Sequence, residues 1–188
     1  MTHTIPHYIK SNAKNYPKDI ALREKKFGVW KTKDWQQCLE EIENITLGLY
    51  SKGITGNNTV AILGNNTPRW ILAEIAVQSL GSIPLGIYSD ALESEIIYLI
   101  DYSSCRVVFV EDEEQADKIM SLSDSKGKID LIVYDEPKGM NKYDDKRLIS
   151  YKNLLKTGHE FKKHNTNFYN KLLENINEED TCIFCPTS

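Results

Sequence analysis

Four short apolar runs, separated by stretches of helical character, constrain this chain more than any other feature. They are Thr59–Leu63 (TVAIL), Ile83–Ile87 (IPLGI), Arg106–Val110 (RVVFV) and Ile129–Tyr134 (IDLIVY). Each is too short for a helix, and nearly every residue within it is apolar. A strand of that kind needs cover on both faces. After the first run comes the turn Gly64-Asn65-Asn66, then Thr67 as a helix cap and Pro68 in the first helical position. The spacing predicts helices from Pro68 to about Leu80, from Glu93 to about Asp101 and from Glu113 to about Leu122. Strands alternating with helices imply an α/β fold, a mostly parallel sheet with helices on both faces. Ligands of such sheets bind beyond the carboxyl ends of the strands. Ile83–Ile87 contains Pro84 and Gly86, which suits an edge position or an irregular end.

The flanking segments are less regular. Ile20–Arg23 and Gly28–Thr32 read as two short strands, with Lys25, Lys26, Phe27 and Gly28 around the turn between them. Asp34 is placed to cap a helix whose stripe is Trp35, Cys38, Leu39, Ile42, Ile45 and Leu49, ended by Gly53. That stripe is a core face. Beyond Tyr134 the chain turns polar and rich in Lys and Tyr. Glu136–Leu148 reads as a long surface loop, followed by helices from Ser150 to about Thr157 and from Asn167 to Ile176. Asp180–Cys185 reads as a last strand. The organisation expected is one domain over residues 1–188, with residues 1–56 a helix and hairpin lead-in and residues 135–150 a surface loop.

A chain of 188 residues can bury roughly 68–70% of its unfolded surface, so it needs no disulfides. Its net charge of −4 argues against nucleic acid as a partner. The amino-terminal stretch lacks the apolar core of a signal peptide. No run approaches the ~18 apolar residues of a membrane span. A cytoplasmic location is the expectation. Of the four cysteines, Cys182 and Cys185 form a C-x-x-C within the last apolar run. Residues three apart on a strand face opposite ways, so these thiols should diverge and sit buried as small hydrophobes. No second C-x-x-C exists to complete a zinc site.

Several groups could carry chemistry, and each has a plainer reading. Gly64–Arg69 lies between a strand and a helix, where anions can bind free N–H groups. With one glycine it reads better as a capped turn, and Arg69 as a surface or packing residue. Glu74, on an apolar helix, could be a buried acid; a place on the helix edge or beside a cation is the plainer reading. Glu111, Asp112, Glu113 and Glu114 could hold a hard metal ion, but acids suit the first turn of a helix without one. His159, Glu160 and His164 do not make H-E-x-x-H, because the histidines are five apart and diverge. The lysines from Lys138 to Lys171 are interleaved with acids and read as a solvated face. None of these makes a catalytic constellation.

Thr187 and Ser188 follow the last apolar run, where phosphate loops begin and hydroxyls can donate to phosphate oxygens. At this point the chain resembles the amino-terminal part of the AMP-forming acyl-CoA synthetases, in the adenylate-forming superfamily. Within them it is most similar to the long-chain fatty-acid–CoA ligases of bacterial type. VAILGNNTPRW (Val60–Trp70) and SLGSIPLGIYSDALESEIIYLI (Ser79–Ile100) carry the resemblance, with RVVFVEDEEQADKI (Arg106–Ile119) and YDEPKGMNKYDDKRLISYKNLL (Tyr134–Leu155). DTCIFCPTS (Asp180–Ser188) is similar to the lead-in of the family's phosphate loop, which continues Thr-Ser-Gly-Thr-Thr-Gly. Pro186 departs from the tyrosine common at that position, and it has no N–H to donate.

The resemblance implies a partial amino-terminal subdomain of the adenylate-forming fold. It also implies an ATP-dependent ligase that makes acyl-AMP and then acyl-CoA. ATP, magnesium and CoA would be used by the whole enzyme, with a fatty acid as substrate. Thr187 and Ser188 would contact phosphate, no catalytic or metal-binding residue is carried over, and the isolated chain would be inactive. Peripheral membrane contact and a homodimer are both compatible with it. Two rival readings stand beside it: a non-catalytic α/β binding or interaction module derived from that family, and an independent mononucleotide-binding protein.

Overall fold

A computed structural model describes residues 3–122 and 129–186. Helix α1 (Ile5–Asn15) is followed by the hairpin β1 (Ile20–Lys26) and β2 (Val29–Asp34), then helix α2 (Trp35–Ser51). The alternating part follows: β3 (Thr59–Leu63), α3 (Pro68–Ser79), β4 (Ile83–Ile87), α4 (Glu93–Ser103), β5 (Val107–Val110), α5 (Glu113–Ser121) and β6 (Leu131–Tyr134). The chain continues through β7 (Leu148–Ser150), α6 (Tyr151–His164) and α7 (Phe168–Leu173). The strands β4-β3-β5-β6-β7 form one sheet in that order, and every pairing in it is parallel. The α/β expectation therefore holds, with helices on both faces.

Side-chain alternation divides the sheet's contacts between two cores. Val60 and Ile62 of β3, Val107 and Phe109 of β5, and Val133 of β6 face one side. There they meet Ile42, Ile45 and Leu49 of α2, Leu72 and Ala76 of α3, and Leu154 of α6. Ala61, Leu63, Val108, Val110 and Ile132 face the other side, against Ile96 and Ile100 of α4 and Ala116 and Ile119 of α5. Each fully buried aliphatic side chain contributes about 1.5–3 kcal/mol. Both sides of the sheet are thus anchored by several such residues.

The helix starts follow the local chemistry read from the sequence. Asp34 accepts from the Gln37 N–H at 2.8 Å, while Gln37 Oε1 accepts from the Asp34 N–H at 2.9 Å, a reciprocal capping box. Thr67 caps α3 by accepting from the Trp70 N–H. Helix α6 runs through Gly158 to His164, beyond the end expected near Thr157. Gly158 serves a close approach rather than a stop: a Cβ there would overlap the Asn44 carbonyl of α2. One at Gly48 would lie 2.6 Å from the Leu154 carbonyl. The two helices meet backbone to backbone at these glycines.

The expected surface loop holds more structure than its polarity suggests. Met140 starts a short 3-10 turn and is buried against the second core. Leu148–Ser150 pairs with β6 as strand β7. The last apolar run is corrected in the opposite direction. Only Phe184 bridges the sheet, beside Leu85 of β4, and no strand forms over Asp180–Cys185. Cys182 and Cys185 are exposed, against the burial expected of them, because the run meets the sheet only at Phe184. Cys38 and Cys105 are buried, and burial pushes each thiol up to about 11. Among the described residues no helix is long and apolar enough to cross a membrane.

Candidate functional site

Residues that directly follow four of the five parallel strands meet at one end of the sheet. They are Gly64 after β3, Glu111 after β5, Asp135 after β6 and Tyr151 after β7. With Asn65, Thr67, Arg69 and Trp70 from the β3–α3 turn, they line a crevice over the carboxyl ends of the strands. This is where an open parallel sheet binds ligands.

The β3–α3 turn is held rigidly. Glu111 Oε2 accepts from the Asn65 N–H at 2.8 Å and from Asn65 Nδ2 at 2.9 Å. Ser89 donates to Asn65 Oδ1 from beyond β4. A Cβ at Gly64 would sit 3.0 Å from Glu111 Cβ, so the small residue lets the carboxylate come close. Glu111 thus acts as a tie between β5 and β3. Its three acidic neighbours are engaged as well. Asp112 accepts from the Gln115 N–H, Glu113 pairs with Lys142, and Glu114 pairs with Lys118. Among the described residues no cluster of His, Cys, Asp and Glu could hold a metal ion, at this acidic run or at His159 and His164.

A polar relay crosses the crevice floor. Arg69 pairs with Asp135, and its guanidinium lies 5.2 Å from the centre of the Tyr151 ring. The Tyr151 hydroxyl donates to Glu41 Oε1 at 2.8 Å, and Lys33 holds the other oxygen of Glu41. Burial and the facing Glu41 carboxylate push the Tyr151 phenol well above its ordinary range. It stays protonated and serves as a donor. The relay runs from the base of the hairpin to the end of β6.

Arg69 was expected as a surface or packing residue, and it packs. Asp135 and Tyr151 went unread in the sequence. Asp135 had position as its signal, as the first residue after the run that forms β6; Tyr151 had none, because β7 carries no period of its own. Glu74 of α3 accepts from Gln78 Nε2 at 3.2 Å, and burial raises its carboxyl. Gln78 also donates to the Cys182 carbonyl at 3.0 Å, which ties the last segment to α3.

Thr187 and Ser188 lie outside the described residues. The approach to them is described as far as Pro186. The Phe184 N–H donates to the Pro84 carbonyl at 2.8 Å, and the Gly86 N–H donates to the Phe184 carbonyl at 3.3 Å. The bridge is parallel, so this segment runs with β4 toward the crevice end of the sheet.

The crevice holds about 30 Å³, room for about two waters, and opens to solvent. Its described lining carries two carboxylates and one guanidinium. Thr67 already takes the Trp70 N–H, and Pro68 has none to offer. The described residues therefore supply neither a complete phosphate grip nor a magnesium site.

A parallel five-stranded sheet with a crevice over its carboxyl ends makes the chain an open-sheet α/β domain. Residues 9–188 match the family described as AMP-binding enzyme, and the chain belongs to that family. Among curated relatives, the human long-chain-fatty-acid–CoA ligase ACSBG2 is 25% identical over 122 residues, 65% of this chain and 18% of the relative. The long-chain-fatty-acid–CoA ligase heimdall of Drosophila melanogaster is 24% identical over 134 residues, 69% of this chain and 20% of the relative. The chain thus spans about a fifth of the length of such relatives.

Solved structures share the fold. The anthranilate CoA ligase AuaEII, in complex with anthranoyl-AMP, superposes with a TM-score of 0.71 at 17% identity. That superposition covers 82% of this chain and 28% of AuaEII. Coronafacic acid ligase from Pectobacterium brasiliense gives a TM-score of 0.70 at 17% identity, over 83% of this chain and 29% of the ligase.

Proposed function

We propose that this chain is the amino-terminal portion of an AMP-forming long-chain fatty-acid–CoA ligase. The observation that carries the reading is the family match over residues 9–188, joined by relatives named for that activity. In the whole enzyme a fatty-acid carboxylate attacks the α-phosphorus of ATP. The P–O bond to pyrophosphate breaks, and acyl-AMP forms. The CoA thiol then attacks the acyl carbon and AMP leaves, giving the thioester.

This chain's contribution is the floor of the nucleotide crevice. Gly64, Asn65 and Glu111 fix the β3–α3 turn, and Arg69, Asp135 and Tyr151 fix the ends of β6 and β7 around it. Thr187 and Ser188 are assigned as hydroxyl donors to the phosphates. The direction of the Phe184 bridge supports that assignment. CoA and magnesium belong to the whole enzyme, which would work in the cytoplasm or peripherally at membranes. The described lining does not fit magnesium, so no step here is routed through it.

The chain alone is expected to release no pyrophosphate from ATP with magnesium, palmitate and CoA; sustained turnover would overturn that. The ligase reading itself is tested on the longest reading frame through Ser188. That product should release pyrophosphate on adding palmitate. Thr187→Ala with Ser188→Ala should lower kcat by about 10²-fold, the usual cost of a lost donor to developing charge. A stop codon directly after Ser188 would instead favour a non-catalytic interaction module.

A further inference from the structure

We propose that the β1–β2 hairpin is a membrane-docking finger that inserts its tip into the surface of an anionic lipid bilayer. The proposal stands on the hairpin alone and does not depend on the ligase reading.

The tip is built against the rules of a stable turn. Lys26 pairs with Val29, so the connection is the two residues Phe27 and Gly28, both at positive φ (51° and 79°). A turn of that geometry favours Asn-Gly, because a bulky side chain at positive φ is strained. The chain instead places phenylalanine there, with 95% of its surface exposed. The conformational strain brings no packing in return. A residue that costs stability at an exposed position points to a role outside the fold.

The surroundings of the tip select the partner. Val29 and Trp30, next along the hairpin, are 63% and 62% exposed. Lys25, Lys26 and Lys31 are exposed and flank them, and Lys25 Nζ lies 5.9 Å from the Trp30 ring centre. Residues 23–33 hold five cations and one acid in a chain whose net charge is −4. Lys33 is held at the hairpin base by Glu41, whereas Lys25, Lys26 and Lys31 nearer the tip are exposed.

Lys25 and Lys26 lie roughly 3–7 Å behind Phe27 along the strand. An apolar tip with cations a few ångströms behind it matches the interface of a bilayer. There aromatic rings sit at headgroup depth and lysines reach up to the phosphates. A nucleic acid or an acidic protein would engage the lysines but would not call for an exposed phenylalanine at the apex.

The test is sedimentation of the full chain with two vesicle types, phosphatidylcholine alone and phosphatidylcholine containing phosphatidylglycerol. The wild-type chain should bind the anionic vesicles, bind the neutral ones much less, and release as salt rises. F27N should lose about tenfold in affinity for anionic vesicles while its melting temperature stays equal or rises, since Asn-Gly suits the turn. K25Q/K26Q should lose about fivefold per lysine. Trp30 fluorescence should shift to the blue on binding.

F27N binding anionic vesicles like the wild type would overturn the proposal. So would binding to heparin that matches vesicle binding and ignores F27N, which would mark a site for polyanions. No binding to either vesicle type would overturn it as well.

Discussion

Individual residues decide two measurable properties. Glu74 sits half-buried on α3, and burial raises its carboxyl above the ordinary range. A group whose pKa is raised on folding favours the folded state fully below its unfolded pKa. That contribution is lost as pH rises through the folded value. At neutral pH the group therefore costs the folded state stability. E74Q keeps an oxygen to accept from Gln78 and removes the charge. It should raise the melting temperature at pH 7, and the gain should vanish below about pH 4. A gain that persists in acid would point to a different cause.

The cysteines give a second residue-scale expectation. Cys182 and Cys185 are exposed, whereas Cys38 and Cys105 are buried with thiols pushed up to about 11. The thiolate is the reactive species, so a disulfide reagent at pH 8 should label two thiols quickly and the other two only on unfolding. Peptide mapping should place the fast label at Cys182 and Cys185. The reading of these two as buried failed because a C-x-x-C in an apolar run looks like any core strand. Whether neighbours cover it is a tertiary fact. Asp34 and Thr67 were legible because a cap acts within three residues of itself.

At the scale of elements, local pattern was readable wherever a segment carried its own period. The stripe of α2 is an example, since its burial repeats with the helix; the runs β3 to β6 were legible instead as short, almost wholly apolar stretches covered on both faces. Strand β7 was not legible: three residues, Leu148–Ser150, give no period, and only the partner β6 makes them a strand. The sequence predicts an end to α6 near Thr157, and Gly158 just beyond it lowers helix propensity by about 1 kcal/mol. The glycine is there for the partner helix. Its missing Cβ leaves room for the Asn44 carbonyl of α2, and Gly48 does the same for Leu154. G158A should therefore destabilise despite the better propensity of alanine. The overlap falls on backbone, which cannot rotate away, so a loss of about 1–3 kcal/mol is expected. Chemical denaturation of G158A beside an exposed control such as K156A would measure it. An unchanged midpoint for G158A would mean that α2 and α6 lie further apart.

The whole molecule is covered unevenly, and that asymmetry has a consequence in solution. One side of the sheet carries α2, α3 and α6, with α1 and α7 packed around them, and its core is closed. The other side carries α4 and α5, and the outer surface of α4 is aromatic. Tyr98 and Tyr102 stack with ring centres 5.8 Å apart and are 63% and 77% exposed. Tyr88, Leu92 and Phe184 are also exposed, around the β4 edge where only the Phe184 bridge closes the sheet. Scattered apolar residues are normal on a protein surface, but several on neighbouring elements form a patch that water covers poorly. A hydrophobic dye such as anilinonaphthalene sulfonate should therefore fluoresce with the native chain, well below its unfolding transition. Y98K/Y102K should remove much of that signal without moving the transition, because neither ring belongs to the core. F27N should remove little, since the hairpin tip is a separate surface. If the native chain left the dye dark, the α4 surface and the β4 edge would have to be covered in solution, and the uneven layering described here would be wrong on that side.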